Sequence, residues 1–431
     1  MRVFIGLADV AGYASGLEAG MREIGVPVRR VDLTGDPLRF HRGHESPGFR
    51  TGLRDRVLRA LVSIVPRWAR RPVRSIIALG WFVVALARAD AVILLGGDSF
   101  LPGGLDLAIL RRLGRRIIIV FTGSDHRPPW LNGKWVRQLG ARGPAWLARE
   151  TATVAARVRR AERYADVIVA LPASSQFHRR PAVSFLAVGV PLRAIGDRQG
   201  SAGRAAPPAA EPSRGDRPVT VLHCPTDPVG KGTDLVRAAV DTTRRSGRSV
   251  EYRERSGVPH AEILAELGRA DLVVDEAFSD TPMGVLAAEA AWFGCPTLVA
   301  GPDAPAILAR IAGPDRPPTR YVETGDLADA LAALVDDPDG RRTLGDAAKD
   351  FVRSRWTAAV VAERYMDLLR AADDPWGRFD PMTETELSAW GLSTEARDAA
   401  IDVLVAAHGF SALGLPTGSA AAAAARVLAD A

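Results

Sequence analysis

Twice along this chain, apolar runs of three to seven residues alternate with longer segments of helical period, and this double alternation constrains the fold more than any other feature. In the N-terminal half the strand candidates are Val3 to Leu7, Val26 to Asp32, Ala91 to Leu95, Arg116 to Phe121 and Val167 to Ala170, with Gly12 to Gly25 helical and stopped by glycine. In the C-terminal half they are Val219 to His223, Val250 to Arg253, Leu272 to Asp275, Thr297 to Ala300 and Arg320 to Val322, followed by a helix from Trp356 to Ala371. Parallel strands need covering crossovers, so each series predicts a doubly wound sheet with helices on both faces. Ligands of such sheets sit outside the carboxyl ends of the strands, and the loops there carry the functional question.

Residues 196–218 (GDRQGSAGRAAPPAAEPSRGDRP) are rich in Pro, Gly, Ala and charge without apolar periodicity, and read as a linker. The expected organisation is therefore a domain over 1–195, the linker 196–218, a second domain over 219–372 and a small helical appendix over 373–431, whose alanine-rich tail from Ser419 is expected to fray. At 431 residues and 47% hydrophobic, both domains can bury cores without staples. The two cysteines, Cys224 and Cys295, form no disulfide framework or zinc pattern, and Met1 to Asp9 lacks the layout of a secretory signal, so a cytoplasmic setting is expected.

The net charge of +6 is modest for this length, and the basic residues are almost all arginine, a compositional bias that makes no case for nucleic acid. They are uneven, however: 11 arginines fall between Arg39 and Arg88 against Glu45 and Asp55. Within that region Ser75 to Ala87 is 13 residues of nearly unbroken apolar character, too short for the ~20 needed to span a bilayer. Leu53, Val57, Leu58, Leu61, Ile64 and Val65 share one helical face of the segment before it. The preferred reading is a pair of helices packed on the first sheet; peripheral contact of residues 53–88 with an anionic inner membrane face is the other.

The strongest chemical signal lies in the second half. The strand VTVLHC runs into PTDPVGKGTDLVRAAV, a lysine between glycines in a strand-to-helix loop, and some fifty residues later ADLVVDEAFSDTPMGVLAAEAAWFGCPTLVAG gives a strand, loop, glycine, helix and strand. An ammonium and the amides of a helix N-terminus suit a site for an anion. Lysine is rare here, with Lys134, Lys231 and Lys349 the only ones, so its retention in the GKG loop points to a need for a compact cation. The plainer reading is an exposed turn lysine.

These segments resemble the donor half of retaining GT-B glycosyltransferases of the family 4 type, and HCPTDPVGKGT is similar to the "HAPT...KGT" layout of a bacterial subgroup. The resemblance implies two Rossmann-like domains facing a cleft and transfer of a sugar from a nucleotide diphosphate sugar (UDP, GDP or dTDP) to an acceptor, a small natural product or an envelope glycan or lipid. It implies that Lys231 contacts phosphate, that Gly284 lets backbone approach the diphosphate, and that Glu289 accepts from ribose hydroxyls, with Thr281, Pro282, Met283 and Val285 lining the donor site. It implies no metal. Two positions depart from the pattern: Thr281 stands where the family has a first glutamate, and Thr226 where it often has an arginine. Asp275, Glu276 or Asp280 can supply a carboxylate, or merely cap the loop.

In the first half, GLADVAGYASGLEAGMREIG is similar to the glycine-bearing first loop of this fold, which implies that backbone near Gly12 faces the donor diphosphate or acceptor; the other reading is an ordinary strand-to-helix turn. LDLAILRRLGRRIIIVFTGSDHRPP resembles a stretch of the same subgroup. On that likeness His126 contacts the sugar or handles the acceptor proton, Asp125 orients it or acts as base, and Arg127 and Ser124 take an anionic or acceptor group. His223 reads as structural. A nucleotide-sugar epimerase and a non-catalytic nucleotide-sugar binder are the alternatives.

Overall fold

The computed structural model describes residues 1–33, 70–193, 217–370 and 378–430, and the linker from 196 to 216 and the segment 53–69 lie outside them. The first sheet contains β1 (Val3–Gly6), β2 (Val28–Arg30), β3 (Ala91–Leu95), β4 (Arg116–Val120), β5 (Val167–Ala170) and β6 (Ala182–Ser184). The second contains β7 (Val219–His223), β8 (Val250–Glu254), β9 (Leu272–Val274), β10 (Thr297–Ala300) and β11 (Arg320–Val322). β12 (Arg378–Phe379) returns to the first sheet, antiparallel to β6.

The spatial order is β2-β1-β3-β4-β5-β6-β12 in one sheet and β8-β7-β9-β10-β11 in the other, and every pair except β6–β12 is parallel. In each sheet the first strand has the second on one side and the third on the other. That reversal opens a crevice at the carboxyl ends of the flanking strands. In the second sheet it lies between β7 and β9, where Val221 pairs with Leu272 and Leu222 with Val273. This is the two-domain α/β GT-B architecture that the resemblance implies, with a helical appendix.

The apolar runs became strands because both faces of the sheets are covered. Ile93, Leu94, Leu95, Ile118, Ile119 and Val120 are all buried. β2 is shorter than its apolar run because it pairs only with β1, at the sheet edge. The helix Arg70–Arg88 packs Phe82 and Ala85 onto Phe4, Leu94 and Phe100, as the core reading expects, while Ile76, Leu79 and Val83 remain exposed on another face. Among the described residues no helix is long and apolar enough to cross a membrane.

The helix Ala358–Arg370 crosses back to the N-terminal half and packs on the helix Tyr13–Glu23, where the hydroxyls of Tyr365 and Tyr13 meet at 2.9 Å. Residues 394–429 differ from the expectation of a frayed tail. Ile401, Leu404, Ala421 and Ala425 close over Trp130, Trp146 and Leu147 of the N-terminal half. Ser419 caps the last helix by accepting from the Ala422 amide at 3.2 Å. Small alanines let that helix approach closely, so its composition serves packing.

Candidate functional site

The loop between β7 and the helix Thr233–Arg245 is a compact turn. Asp227 O accepts from Lys231 N at 2.8 Å, and Asp227 Oδ1 from Gly230 N at 3.2 Å. Gly232 then takes φ +67°, and a Cβ there would stand 2.7 Å from the Ala277 methyl, so glycine is required twice over. Under it, His223 ties the crevice together, with Nδ1 2.8 Å from Val274 O and Nε2 3.0 Å from Thr233 Oγ1.

This turn carries Lys231 across the crevice to the end of β9. Its Nζ lies 2.8 Å from Asp275 Oδ1 and 2.8 Å from Glu276 Oε1, with the side chain 12% exposed. Burial disfavours the ammonium, but the two carboxylates outweigh it and hold the Lys231 pKa above its ordinary value. Burial and the neighbouring Asp275 push Glu276 up, against the pull of Lys231. One ammonium faces two carboxylates, so the cluster as it stands repels a diphosphate. An incoming anion must displace Glu276 or be accompanied by its proton.

The loop after β9 is pinned at its middle: Ser279 N donates to Ala300 O at 2.8 Å and Ser279 O accepts from Tyr321 Oη at 2.8 Å. It ends at Gly284, which caps the eight-residue helix Val285–Trp292 without a side-chain cap. A Cβ on Gly284 would stand 3.3 Å from Asp275 Oδ2, so this helix start lies against the Lys231 cluster. Glu289, further along the same helix, is held by His260 Nε2 at 2.7 Å from its Oε1. Met283 turns its side chain into the core, Val285 packs partly against it, and Pro282 and Thr281 face a cavity between the halves. Thr281 Oγ1 is buried there without a hydrogen-bond partner. Thr226 is exposed on the lysine loop.

Residues of the first half meet these loops differently from the roles the resemblance implies. Arg127 donates from Nε to Asp280 Oδ2 at 2.9 Å and a second time from a terminal nitrogen, while Ser174 Oγ donates to the same oxygen at 2.6 Å. Arg127 is thus a counter-charge between the halves. His126 is fully buried, stacked on Phe121, with Nδ1 3.2 Å from His178 Nε2. Burial, His178 and Arg127 drive its pKa well below the ordinary histidine value, and it is held neutral. Asp125 accepts from Gly123 N at 2.8 Å and Thr122 N at 3.0 Å, tying the loop on itself, and burial raises its pKa. Ser124 is exposed and accepts from Asn132 Nδ2 at 2.9 Å. Gly12, at φ +80°, precedes a helix start already capped by Asp9, whose Oδ1 accepts from Ala14 N at 2.9 Å.

The structure therefore brings Lys231, Asp275, Glu276 and Gly284 to one crevice, with Glu289 on the helix that starts at Gly284 and Asp280 and Arg127 closing the seam beside it. Sequence reasoning missed the third component, which comes from the appendix. Trp390 Nε1 donates to Glu276 Oε2 at 3.0 Å, and the Arg127 guanidinium lies over its ring, 5.6 Å from the centroid. Glu384 and Glu386 line the cavity with Thr281, Asp280, Arg310 and the apolar Leu171, Pro172 and Leu186. Burial raises the Glu384 pKa to about 7, against the pull of Arg310. His260 and Asp9 were missed as well. No short-range pattern marks the contacts of Trp390, Glu384 or His260, because each is made between segments far apart in the chain.

No protein-family model matches the chain, and no curated protein is a match. Solved structures of similar fold include the catalytic domain of starch synthase IV from Arabidopsis thaliana bound to ADP and acarbose, at 11% identity, covering 86% of this chain and 98% of that one, with a TM-score of 0.48. Anabaena HepE in complex with UDP and glucose is similar at 12% identity, 86% and 99% coverage and a TM-score of 0.46. A putative UDP-N-acetylglucosamine 2-epimerase from Listeria monocytogenes is similar at 14% identity, 87% and 97% coverage and a TM-score of 0.39. The chain's own residues must therefore carry any assignment of function.

Proposed function

We propose that this chain is a glycosyltransferase that moves a sugar from a nucleotide diphosphate sugar to an acceptor with retention of anomeric configuration and without a metal. The observation that carries the reading is the meeting of Lys231 and the uncapped helix start at Gly284 across the switch point of the second sheet, with Glu289 on that helix. In this reading the bond from the anomeric carbon to the diphosphate oxygen breaks and one to the acceptor oxygen forms. The acceptor proton passes to the departing diphosphate, whose charge the Lys231 ammonium and the helix amides stabilise. Glu289 holds the ribose hydroxyls once His260 yields, and Thr281, Pro282 and the backbone of Met283 and Val285 border the sugar.

The region 219–372 holds the donor and 1–195 presents the acceptor with Ser124. Asp125 and His126 position that loop from beneath, and Gly12 shapes the wall opposite the donor. The setting is cytoplasmic, and docking of residues 53–88 on an anionic inner membrane face gives access to a lipid-linked acceptor; co-sedimentation with anionic and neutral vesicles tests it. A natural product or envelope glycan remains the soluble option. The transfer reading is tested by incubating UDP-, GDP- and dTDP-sugars with an acceptor panel and reading product configuration by NMR. Formation of an isomerised nucleotide sugar without acceptor consumption identifies an epimerase instead. Thr281, standing where the resemblance calls for a glutamate, favours a second reading, a non-catalytic binder, which takes up donor but neither transfers nor hydrolyses it.

A further inference from the structure

Residues 384–391 run along the seam between the two halves and bond to both. Gln176 Nε2 of the first half donates to Glu386 O at 3.0 Å, and Arg310 of the second donates to Thr385 Oγ1 at 2.8 Å. Ser388 Oγ donates to Asp303 Oδ2 at 3.1 Å. At Trp390 the segment is held by backbone on both sides: Trp390 N donates to Leu131 O at 2.9 Å and its carbonyl accepts from Gly133 N at 2.8 Å. Gly391 N then donates to Phe278 O, in the loop after β9, at 3.0 Å.

The same two residues cover the lysine turn. A Cβ on Gly391 would stand 3.2 Å from Gly230 Cα, so the segment lies directly on the loop that presents Lys231. The indole of Trp390 holds the oxygen of Glu276 opposite the one that faces Lys231. A bidentate carboxylate fixed at one oxygen loses little by staying bonded at the other, so the indole strengthens the ion pair that withdraws the ammonium from solution.

We propose that residues 384–391 are a displaceable strap over the Lys231 turn, and that Trp390 is its latch: it positions Glu276 against Lys231, and its release leaves the ammonium paired with Asp275 alone and open to a diphosphate. The proposal rests on the donor-site reading for the identity of the anion, but not for the latch itself. Binding of a nucleoside diphosphate competes with the strap for one surface. Loss of the latch therefore exposes Lys231 and strengthens binding, the reverse of what deletion of a ligand-contacting residue does.

With three lysines in the chain, acylation by acetic anhydride read by peptide mass spectrometry reports Lys231 directly. Trp390→Phe keeps an aromatic ring and removes the indole donor. Its Lys231 is expected to acylate roughly tenfold faster than in the wild type, as loss of a hydrogen bond to a charged group implies, with Lys134 and Lys349 unchanged. Calorimetric affinity for UDP is expected to rise in the same variant, and Glu276→Gln to do likewise in both readouts. Hydrogen exchange gives a measurement without mutation: UDP added to the wild type should deprotect the amides of Trp390 and Gly391. Unchanged Lys231 reactivity in Trp390→Phe overturns the latch, and faster acylation with weaker UDP binding overturns it in favour of Trp390 as a wall of the nucleotide site. Faster acylation with no binding of UDP, GDP, dTDP or ADP to either form upholds the latch and sinks the donor reading.

Discussion

Arg127 and Asp280 form an ion pair with both side chains almost completely buried, one from each half of the chain, and Ser174 donates to the same carboxylate oxygen. A buried charge is tolerable only with its partner, so the pair fixes how the two halves meet. Asp280→Asn leaves the guanidinium without a counter-charge and is expected to cost about 3–5 kcal/mol, read as a lower unfolding midpoint in urea. The double variant Arg127→Met with Asp280→Leu should recover most of that loss. A single variant as stable as the wild type contradicts the account of the seam.

Gly232 should not tolerate a side chain. Its φ of +67°, and the Ala277 methyl only 2.7 Å from where a Cβ would stand, make Gly232→Ala destabilising by about 2 kcal/mol. Gly284→Ala, with φ −82°, should fold normally and weaken nucleotide binding several-fold, because its methyl enters the space beside Asp275. Thermal melts and calorimetry on the two variants separate a structural glycine from one that admits a ligand.

Those two glycines also show what the sequence makes legible. The strand-loop-helix order puts both at the correct ends of β7 and β9, since period and punctuation are local properties. The two sheets, the order of the elements and the crevice follow from the same signals. What Lys231 faces does not. A lysine between glycines reads as a free cation until β9 brings Asp275 and Glu276 beside it, and pairing of β7 with β9 depends on the whole sheet. His126 misled for a related reason: just past a strand end it reads as exposed, but His178, 52 positions away, closes over it. The appendix was least legible, because Trp390 is defined by partners at 131, 133 and 276 and by no pattern of its own.

Stability should depend on pH at both sides of neutrality. Glu384 has a folded pKa of about 7, raised above the unfolded value, so its contribution is full below the ordinary glutamate range and is lost as pH rises through about 7. Glu384→Gln should flatten the decline in melting temperature between pH 5 and 8. His126 has a folded pKa depressed below the ordinary one, so its contribution is present above that value and falls away as pH drops. In an NMR titration its ring signals should stay unshifted from pH 8 to pH 6, and movement with an ordinary midpoint contradicts the buried placement.

Glu289 offers a sharper test of the donor helix. In the free protein it is bonded to His260 at 2.7 Å, so His260→Ala should release the carboxylate and raise nucleotide affinity by a few-fold, whereas Glu289→Ala should lower it by tenfold or more. Equal losses in the two variants show that the pair acts only as a structural brace.

The central claim is most directly tested by calorimetric titration of UDP, GDP, dTDP and ADP into the wild type, Lys231→Ala and Glu289→Ala. The account predicts that one nucleotide binds the wild type and that both substitutions weaken it by tenfold or more. Binding of none of the four, or binding indifferent to both substitutions, contradicts it.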